Sequence, residues 1–131
     1  MKYQIDISYI KNNKTREFKK RLYAFVLKLI ECIDRLPKDT VSQRIADQLI
    51  RSGTSILGTY VEGLSSSSRR DLINFFNHAL KSANESKVWV AILRDTKRMR
   101  ALDANWLLQE LDEYAKIFAA SILTLKGKRS V

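Results

Sequence analysis

The sequence predicts an all-α protein, an antiparallel up-down four-helix bundle with a short extended N-terminal arm. Apolar residues recur at three- and four-residue steps in four successive segments, which is the period of an amphipathic helix. Only four Gly and one Pro interrupt 131 residues, too few for the many turns of a β-sandwich or barrel. Hydrophobic residues make up 45% of the chain, which is enough for one domain to build a core.

The first two helices are recognised by their ends and by an unusual composition. The first is predicted from about Thr15 to Leu36, and Pro37 ends it because the residue before a proline is pushed out of the helical region. The second begins at Asp39 or Thr40, since Thr40 and Gln43 have the spacing of a capping box. Small residues with poor helix propensity fill its interior, so we expect a neighbouring helix to approach closely at Ser52, Gly53, Thr54, Ser55, Gly58 and Thr59.

Two further helices are predicted in the second half of the chain. Ser68 with Asp71 suits the start of a third helix, which extends from about Arg69 to Met99. Asp103 is expected to cap a fourth helix that ends near Leu125. The apolar faces predicted for the four helices in turn include Phe25 and Leu29, Val41 and Leu49, Leu72 and Phe76, and Leu107 and Phe118.

These helices divide the chain into residues 1–14 as an N-terminal arm, 15–126 as the four-helix bundle and 127–131 as a basic C-terminal tail. The short links favour the antiparallel bundle. The alternative is a pair of helical hairpins that completes its core only by oligomerising. The arm either lies on the bundle or pairs with another subunit, because every second residue is apolar, as in a strand: Tyr3, Ile5, Ile7 and Tyr9.

Net charge is the compositional hint of function. The formal net charge is +10 and the pI is near 9.9, which points to an anionic partner. The surplus is concentrated in residues 1–20 and 81–100, each with six Lys or Arg against two acids. A stripe along the first helix has acids interleaved and is expected to be a solvated, self-paired face: Lys14, Arg21, Lys28 and Arg35.

The end of the third helix has the densest run of cations, more than the helix macrodipole accounts for, which favours a phosphate-binding patch. No zinc-finger, basic-zipper or RNA-recognition signature is present, so contacts are expected mainly to the nucleic-acid backbone. Trp89 and Trp106 are expected in the core or at an interface, although such rings can also stack on bases. The predicted nucleic-acid-binding residues are Arg94, Lys97, Arg98, Arg100, Lys87, Lys81, Lys14, Lys19 and Lys20.

The sequence shows no recognisable catalytic or metal site. The one histidine, His78, and the one cysteine, Cys32, cannot supply the usual ligands of a metal ion, and their spacing does not indicate a catalytic pair. There is no Walker lysine motif, no apolar run near the ~20 residues that span a bilayer, and no secretory signal. We therefore expect a cytoplasmic protein that is not an enzyme, holds no cofactor or metal ion, and has no membrane partner.

The second and third helices carry two motifs. One is Gln48-Leu49-Ile50-Arg51-Ser52-Gly53-Thr54-Ser55-Ile56 with Tyr60-Val61-Glu62-Gly63, and the other is Asp71-Leu72-Ile73, Ala79-Leu80-Lys81-Ser82-Ala83, Glu85-Ser86 and Trp89. These motifs resemble the bacterial four helix bundle protein family, named for reading frames in intervening sequences of 23S ribosomal RNA genes. That family is related to the accessory variability determinant proteins of diversity-generating retroelements. The chain departs from it at Leu57-Gly58-Thr59, where members usually have Gly-Ala-Asn.

The resemblance implies an antiparallel bundle that assembles into a ring-like homopentamer. It also implies, for the retroelement relatives, binding of a reverse transcriptase and of nucleic acid through basic surfaces. Arg51 is a motif residue among small neighbours and needs an acid, either Glu62 or one from another helix. The residues predicted at a subunit or helix interface are Arg51, Ser52, Gly53, Ser55, Gly58 and Trp89.

The leading hypothesis is a non-enzymatic, oligomeric accessory protein that binds RNA or DNA and assists a diversity-generating retroelement reverse transcriptase. The alternative is a protein-interaction scaffold, either associated with the ribosome or docking an acidic protein, that does not bind nucleic acid directly. An enzyme is the third and least supported hypothesis.

Overall fold

The computed structural model describes residues 13–127. Four α-helices follow one another: α1 is Asn13–Asp34, α2 is Thr40–Leu64, α3 is Arg69–Asp95 and α4 is Ala101–Leu125. Links of only four or five residues join consecutive helices, so neighbours run antiparallel. Contacts between α1 and α4 close the bundle, and no β-strand occurs within the described residues. The predicted all-α four-helix bundle is confirmed.

The two predicted terminal segments fall almost entirely outside the described part of the chain. The arm, residues 1–14, is described only at Asn13 and Lys14, which already belong to α1. The tail, residues 127–131, is described only at Gly127. The first helix therefore begins two residues earlier than predicted, and the extended arm stays a prediction.

The start of α2 differs from the capping box that the sequence suggests. Asp39 is the N-cap, and its carboxylate accepts hydrogen bonds from the backbone nitrogen of Ser42 at 2.9 Å and from its hydroxyl at 2.8 Å. The side chain of Gln43 instead donates to the carbonyl of Pro37 at 3.0 Å. The pairing predicted between Thr40 and Gln43 is wrong because Asp39, one residue earlier, takes the capping position.

The start of α3 agrees with the sequence, whereas its end does not. The hydroxyl of Ser68 accepts from the backbone nitrogen of Asp71 at 3.1 Å, the predicted cap. The helix ends at Asp95 rather than near Met99, because Lys97 has a φ of 61°, in the left-handed region. This residue turns the chain towards α4.

The core on the α1 side is aromatic. The ring of Phe18 lies edge-on to three others, with centroids 5.0 Å from Tyr60, 5.8 Å from Tyr114 and 5.6 Å from Phe118. Phe25 meets Tyr114 edge-on at 5.3 Å. Edge-to-face pairs of this kind contribute roughly 0.5–1.5 kcal/mol each beyond the burial of their area, so large side chains hold α1 on the bundle.

The contact between α2 and α3 is made by small residues and is lined with hydroxyl groups. The Ser52 Oγ lies 2.7 Å from the Ser86 Oγ, and the Ser86 hydroxyl donates to the carbonyl of Ser82 at 2.8 Å. The Ser82 hydroxyl donates to the Ser55 Oγ at 3.2 Å. Ser52 and Ser86 are fully buried, and these bonds satisfy their polar atoms. The close approach predicted from the small residues of α2 is confirmed at Ser52 and Ser55.

The buried face of α2 differs from prediction near its start. Val41, predicted to be apolar core, is 51% exposed, while Ser42 and Ala46 are buried in its place. The Ser42 hydroxyl accepts a hydrogen bond from Arg98 of the α3–α4 link at 3.0 Å, and because successive helix residues point in different directions, Val41 is left on the outside. The two interior glycines also differ, since Gly53 is buried against Leu29 of α1, whereas Gly58 is exposed and has open space where a Cβ would lie.

We expect Gly53→Ala to destabilise the fold although alanine is the better helix former. The new Cβ collides with the fully buried side chain of Leu29, and overpacking of this kind costs about 1–3 kcal/mol, more than the ~1 kcal/mol gained in helix propensity. In a Leu29→Ala background the space is open, so the same change at Gly53 should increase the free energy of unfolding. Urea unfolding of all four proteins measures both effects. An effect of the same sign in both backgrounds would contradict this account of the contact.

Candidate functional site

The two sequence motifs meet across the contact between α2 and α3. Arg51 donates to the side chain of Gln48 at 3.0 Å and forms an ion pair with Glu85 on α3. Glu85 also accepts a hydrogen bond from the Trp89 indole nitrogen at 3.0 Å. Of the acids considered for Arg51, the structure therefore selects one from another helix and not Glu62. The Arg51 side chain is 58% exposed, so this is a surface ion pair and not a buried cation.

The antiparallel topology collects charged segments at two ends of the bundle. We call the end with the links between α1 and α2 and between α3 and α4 the two-link end. The opposite one-link end holds the start of α1, the link between α2 and α3, and the end of α4. The predicted patch at the end of α3 lies at the two-link end, whereas the predicted residues Lys14, Lys19 and Lys20 lie at the one-link end.

Two arginines of the predicted α3 patch already have acidic partners. The Arg94 Nε lies 2.9 Å from a carboxylate oxygen of Asp95. Arg98 donates to the Ser42 hydroxyl at 3.0 Å and lies 3.9 Å from the Asp39 carboxylate. Asp39 is the N-cap of α2, and Ser42 lies in the first turn of that helix. One acid adjacent in sequence and one remote in sequence therefore reduce the charge that the α3 segment presents.

A third arginine of the patch is engaged by a buried carboxylate. Asp103 is only 3% exposed and accepts two hydrogen bonds from Arg100, at 3.0 and 2.9 Å, and one from Arg35 at 3.2 Å. It does not cap α4 as predicted, because Arg100 is at the N-cap position and Asp103 lies inside the first turn. Of the four main patch cations, Lys97 alone has no ion pair with another residue of the range 13–127.

The sequence predicts that the charged stripe of α1 pairs within its own helix. The structure instead pairs two of its members, Arg21 and Arg35, with acids of α4. Arg21 makes a bidentate pair with Glu110, with both distances 2.9 Å. Arg35 contacts both Glu31 of its own helix and the buried Asp103. The hydrogen bonds that Arg21 donates are the largest cause that holds the pKa of Glu110 below its ordinary value.

Cations clearly outnumber acids at the one-link end. In residues 13–21, 62–71 and 117–127, eight Lys or Arg face three carboxylates, whereas in residues 31–47 and 90–105 of the two-link end seven face six. At the one-link end, the ion pairs formed within the described chain are a 4.0 Å pair of Lys20 with Glu17 and the pair of Arg21 with Glu110. The eight cations are Lys14, Arg16, Lys19, Lys20, Arg21, Arg69, Arg70 and Lys126.

Of these eight cations, the residues predicted from the sequence to bind nucleic acid include three, Lys14, Lys19 and Lys20, and leave out five: Arg16, Arg21, Lys126, Arg69 and Arg70. The last two belong to a segment with little net charge, so a count along the chain passes over them. The antiparallel topology was the signal that could have found them, because it puts the start of the first helix beside the start of the third. The other two predicted cations lie between the ends, with Lys81 exposed on α3 and Lys87 3.5 Å from Asp112 of α4.

The structure also shows where the one histidine and the one cysteine of the chain lie. His78 is exposed and lines a cleft at the α2–α3 surface with Glu62, Asp71 and Asn74. Cys32 is buried. Within residues 13–127, no three His, Cys, Asp or Glu side chains are grouped so that they could hold a metal ion. None of the helices α1–α4 has the length and apolar character needed to cross a membrane.

The family model of the 23S rRNA-intervening sequence protein matches residues 14–120 of this chain. The chain belongs to this family. This chain is also similar to a crystal structure of a protein of unknown function from the S23 ribosomal protein family of Bacteroides thetaiotaomicron VPI-5482. The TM-score is 0.74 at 28% identity, over 79% of this chain and 96% of that one. No curated protein matches the chain. The predicted family is thereby confirmed.

In this family member, we expect Asp103→Asn to lower the free energy of unfolding at pH 7 by about 1–2 kcal/mol, because Arg100 and Arg35 lose the negative charge and one of the two acceptor oxygens. The hydrogen bonds from Arg100, and then the charges of Arg100 and Arg35, hold the pKa of Asp103 below its ordinary value. Its contribution is therefore complete above the unfolded pKa of about 3.9 and is lost as the pH falls through the folded pKa.

The matched control is Asp112→Asn, since Asp112 pairs with Lys87 and Lys116 at the surface. We expect it to leave the free energy of unfolding nearly unchanged. Urea unfolding at several pH values between 7 and 3 measures both variants. A difference between wild type and Asp103→Asn that does not shrink towards pH 3 would contradict the role given to this carboxylate.

Proposed function

We propose that this protein is a non-enzymatic, cytoplasmic homo-oligomer that binds nucleic acid and assists a diversity-generating retroelement reverse transcriptase. The observation that carries the nucleic-acid part is the excess of cations at the one-link end, where they outnumber acids by eight to three in sequence. The reverse transcriptase is proposed because the Arg51 and Trp89 motifs resemble a family that is related to the accessory variability determinant proteins. The experiments below test the nucleic-acid and oligomeric parts separately.

The chemistry of the one-link end suits phosphate groups. Arg16, Arg69 and Arg70 are exposed, and guanidinium groups match phosphate oxygens with two parallel hydrogen bonds. Arg69 and Arg70 open α3, so their charges add to the positive end of that helix dipole. The acids nearby are few and mostly exposed, so phosphates can compete for these cations. Binding of this kind is sensitive to salt and weakly selective for sequence.

An outward face of α1 and α2 supports the oligomeric part of the proposal. Tyr23 and Leu27 of α1 are 58% and 48% exposed, and Val61 of α2 is 40% exposed. Lys19, Lys20, Tyr23, Leu57 and Val61 line one groove on this face. Gly58 is exposed one turn from Val61, which fits the predicted subunit contact rather than a helix contact within the chain. Burying these apolar side chains against a second copy stabilises a dimer or ring.

Symmetry links the two parts of the proposal. The resemblance implies a homopentamer, and in a ring whose axis follows the helices every one-link end lies on the same rim. Lys19 and Lys20 border both the apolar groove and the basic end. A ring therefore joins the basic ends of neighbouring copies into one continuous positive surface.

We expect the triple variant Arg16→Gln, Arg69→Gln, Arg70→Gln to bind RNA and DNA roughly ten-fold or more weakly at 100 mM salt than the wild type. Its slope of log affinity against log salt should also be smaller, by about one for each lost phosphate contact. Filter binding over a salt series measures both quantities. The matched variant Arg94→Gln, Lys97→Gln, Arg98→Gln removes three charges at the two-link end and should lose less affinity.

These two variants separate the possible outcomes. A larger loss in the Arg94→Gln, Lys97→Gln, Arg98→Gln variant would show that the interface lies at the end of α3, as the sequence alone predicts. Salt-independent affinity in the wild type, or affinity unchanged in both variants, would overturn nucleic-acid binding and favour the scaffold alternative. Circular dichroism of each variant checks that the bundle is intact.

We expect Val61→Glu to dissociate the oligomer, because it puts a charge into the apolar groove of α1 and α2. Val88 is a matched control, since it is 54% exposed on α3, outside the residues that line this groove. Sedimentation velocity should give the wild type about five times the 15.2 kDa mass of the chain, and Val88→Glu the same. A monomeric wild type, or equal dissociation by both variants, would refute the proposed interface.

A further inference from the structure

The α1–α4 surface carries an exposed aromatic ring beside a cation. Trp106 is 40% exposed, and its ring is nearly parallel to that of buried Phe25, with an angle of 15° and centroids 6.3 Å apart. The Lys28 Nζ lies over the Trp106 ring, 6.0 Å from its centroid, so a base that stacks on this face takes the place of the flexible lysine side chain. The sequence predicts Trp106 in the core or at an interface, but the structure leaves much of this ring at the surface, backed by the core.

Lys28 differs from the other members of the α1 stripe on this surface. Arg21 and Arg35 are held by Glu110 and Asp103, respectively, whereas Lys28 has no ion pair with a carboxylate of the described chain. Its flexible side chain is therefore available to meet a phosphate. Lys28 follows Lys14 by 14 residues, so it lies about 21 Å along α1 from the one-link end.

We propose that Trp106 stacks on an unpaired base of a single-stranded nucleic acid while Lys28 contacts the adjacent phosphate. This proposal rests on the proposed function and adds the substrate class, a single strand that extends from the one-link end along the α1–α4 surface. Stacking on an aromatic ring needs a base outside a duplex, because paired bases already stack on one another. Phe25 holds the Trp106 ring in place, which lowers the entropic cost of stacking.

A protein partner is a weaker occupant of the same surface. The exposed apolar side chains here are Trp106 and Leu102, one turn earlier on α4. A stable protein interface buries about 800 Å² on each partner, and two side chains with cations beside them fall short of that area. One base and one phosphate match a ring and an ammonium group in size and charge.

Intrinsic fluorescence tests the contact directly, because the chain has two tryptophans. In Trp89→Phe, Trp106 is the only tryptophan. We expect oligouridine or oligothymidine to quench its fluorescence in a saturable way that salt reverses. In Trp106→Phe the reporter is Trp89, whose indole donates to Glu85, and we expect little quenching. Quenching of Trp89 without quenching of Trp106 would overturn the proposal.

Affinity separates stacking from a structural role. Trp106→Leu should bind a single strand about ten-fold more weakly, with unchanged affinity for a duplex of the same sequence. Trp106→Phe should keep most of the single-strand affinity. Equal losses for single strand and duplex, or no loss at all while the wild type shows salt-dependent binding, would overturn the stacking proposal but leave the proposed function standing. No salt-dependent binding by the wild type would overturn the proposed function and this inference with it.

Discussion

The close contact between α2 and α3 is the constraint on which the rest of the structure depends. It requires small side chains on both helices, and the buried hydroxyl groups of Ser52 and Ser86 lie 2.7 Å apart and hydrogen-bond across it. At the surface edge of the same contact, Arg51 of α2 and Trp89 of α3 both bind Glu85. The residues that carry the family signature are thus the two sides of one helix contact. This gives the signature a structural explanation that needs no ligand.

The antiparallel topology determines where the charge of the protein is presented. Helices that alternate in direction bring segments together that are far apart in sequence, and this acts in opposite ways at the two ends. At the two-link end, Asp39 and Asp103 reach the arginines of the α3 patch. At the one-link end, Arg69 and Arg70 join the lysines that open α1 without a matching set of acids. Net charge per segment is therefore a poor guide to net charge per surface.

The fold was predictable from the sequence to the level of elements, because periodicity and helix stops are local properties. Ser68 as a cap and the close approach at Ser52 followed from local chemistry in the same way. The errors at Asp103 and Val41 have a common cause. A carboxylate near a helix start can cap it or pair with arginines, and a valine can face inward or outward, and in each case the neighbouring helix decides. The same holds for the site, since ion pairs between helices depend on tertiary contacts.

The first helix connects the proposed subunit contact with the proposed nucleic-acid surface. One side of α1 leaves Tyr23 and Leu27 exposed beside α2, while another side presents Lys28 to Trp106 of α4. Aromatic packing of Phe18 and Phe25 fixes the rotation of the helix and hence the angle between these two sides. In the proposed ring, a subunit that docks on the first side would therefore position the second relative to the ring axis. Because of this rigid link, the proposed assembly would determine how a single strand runs from the basic end of one copy along its α1–α4 surface.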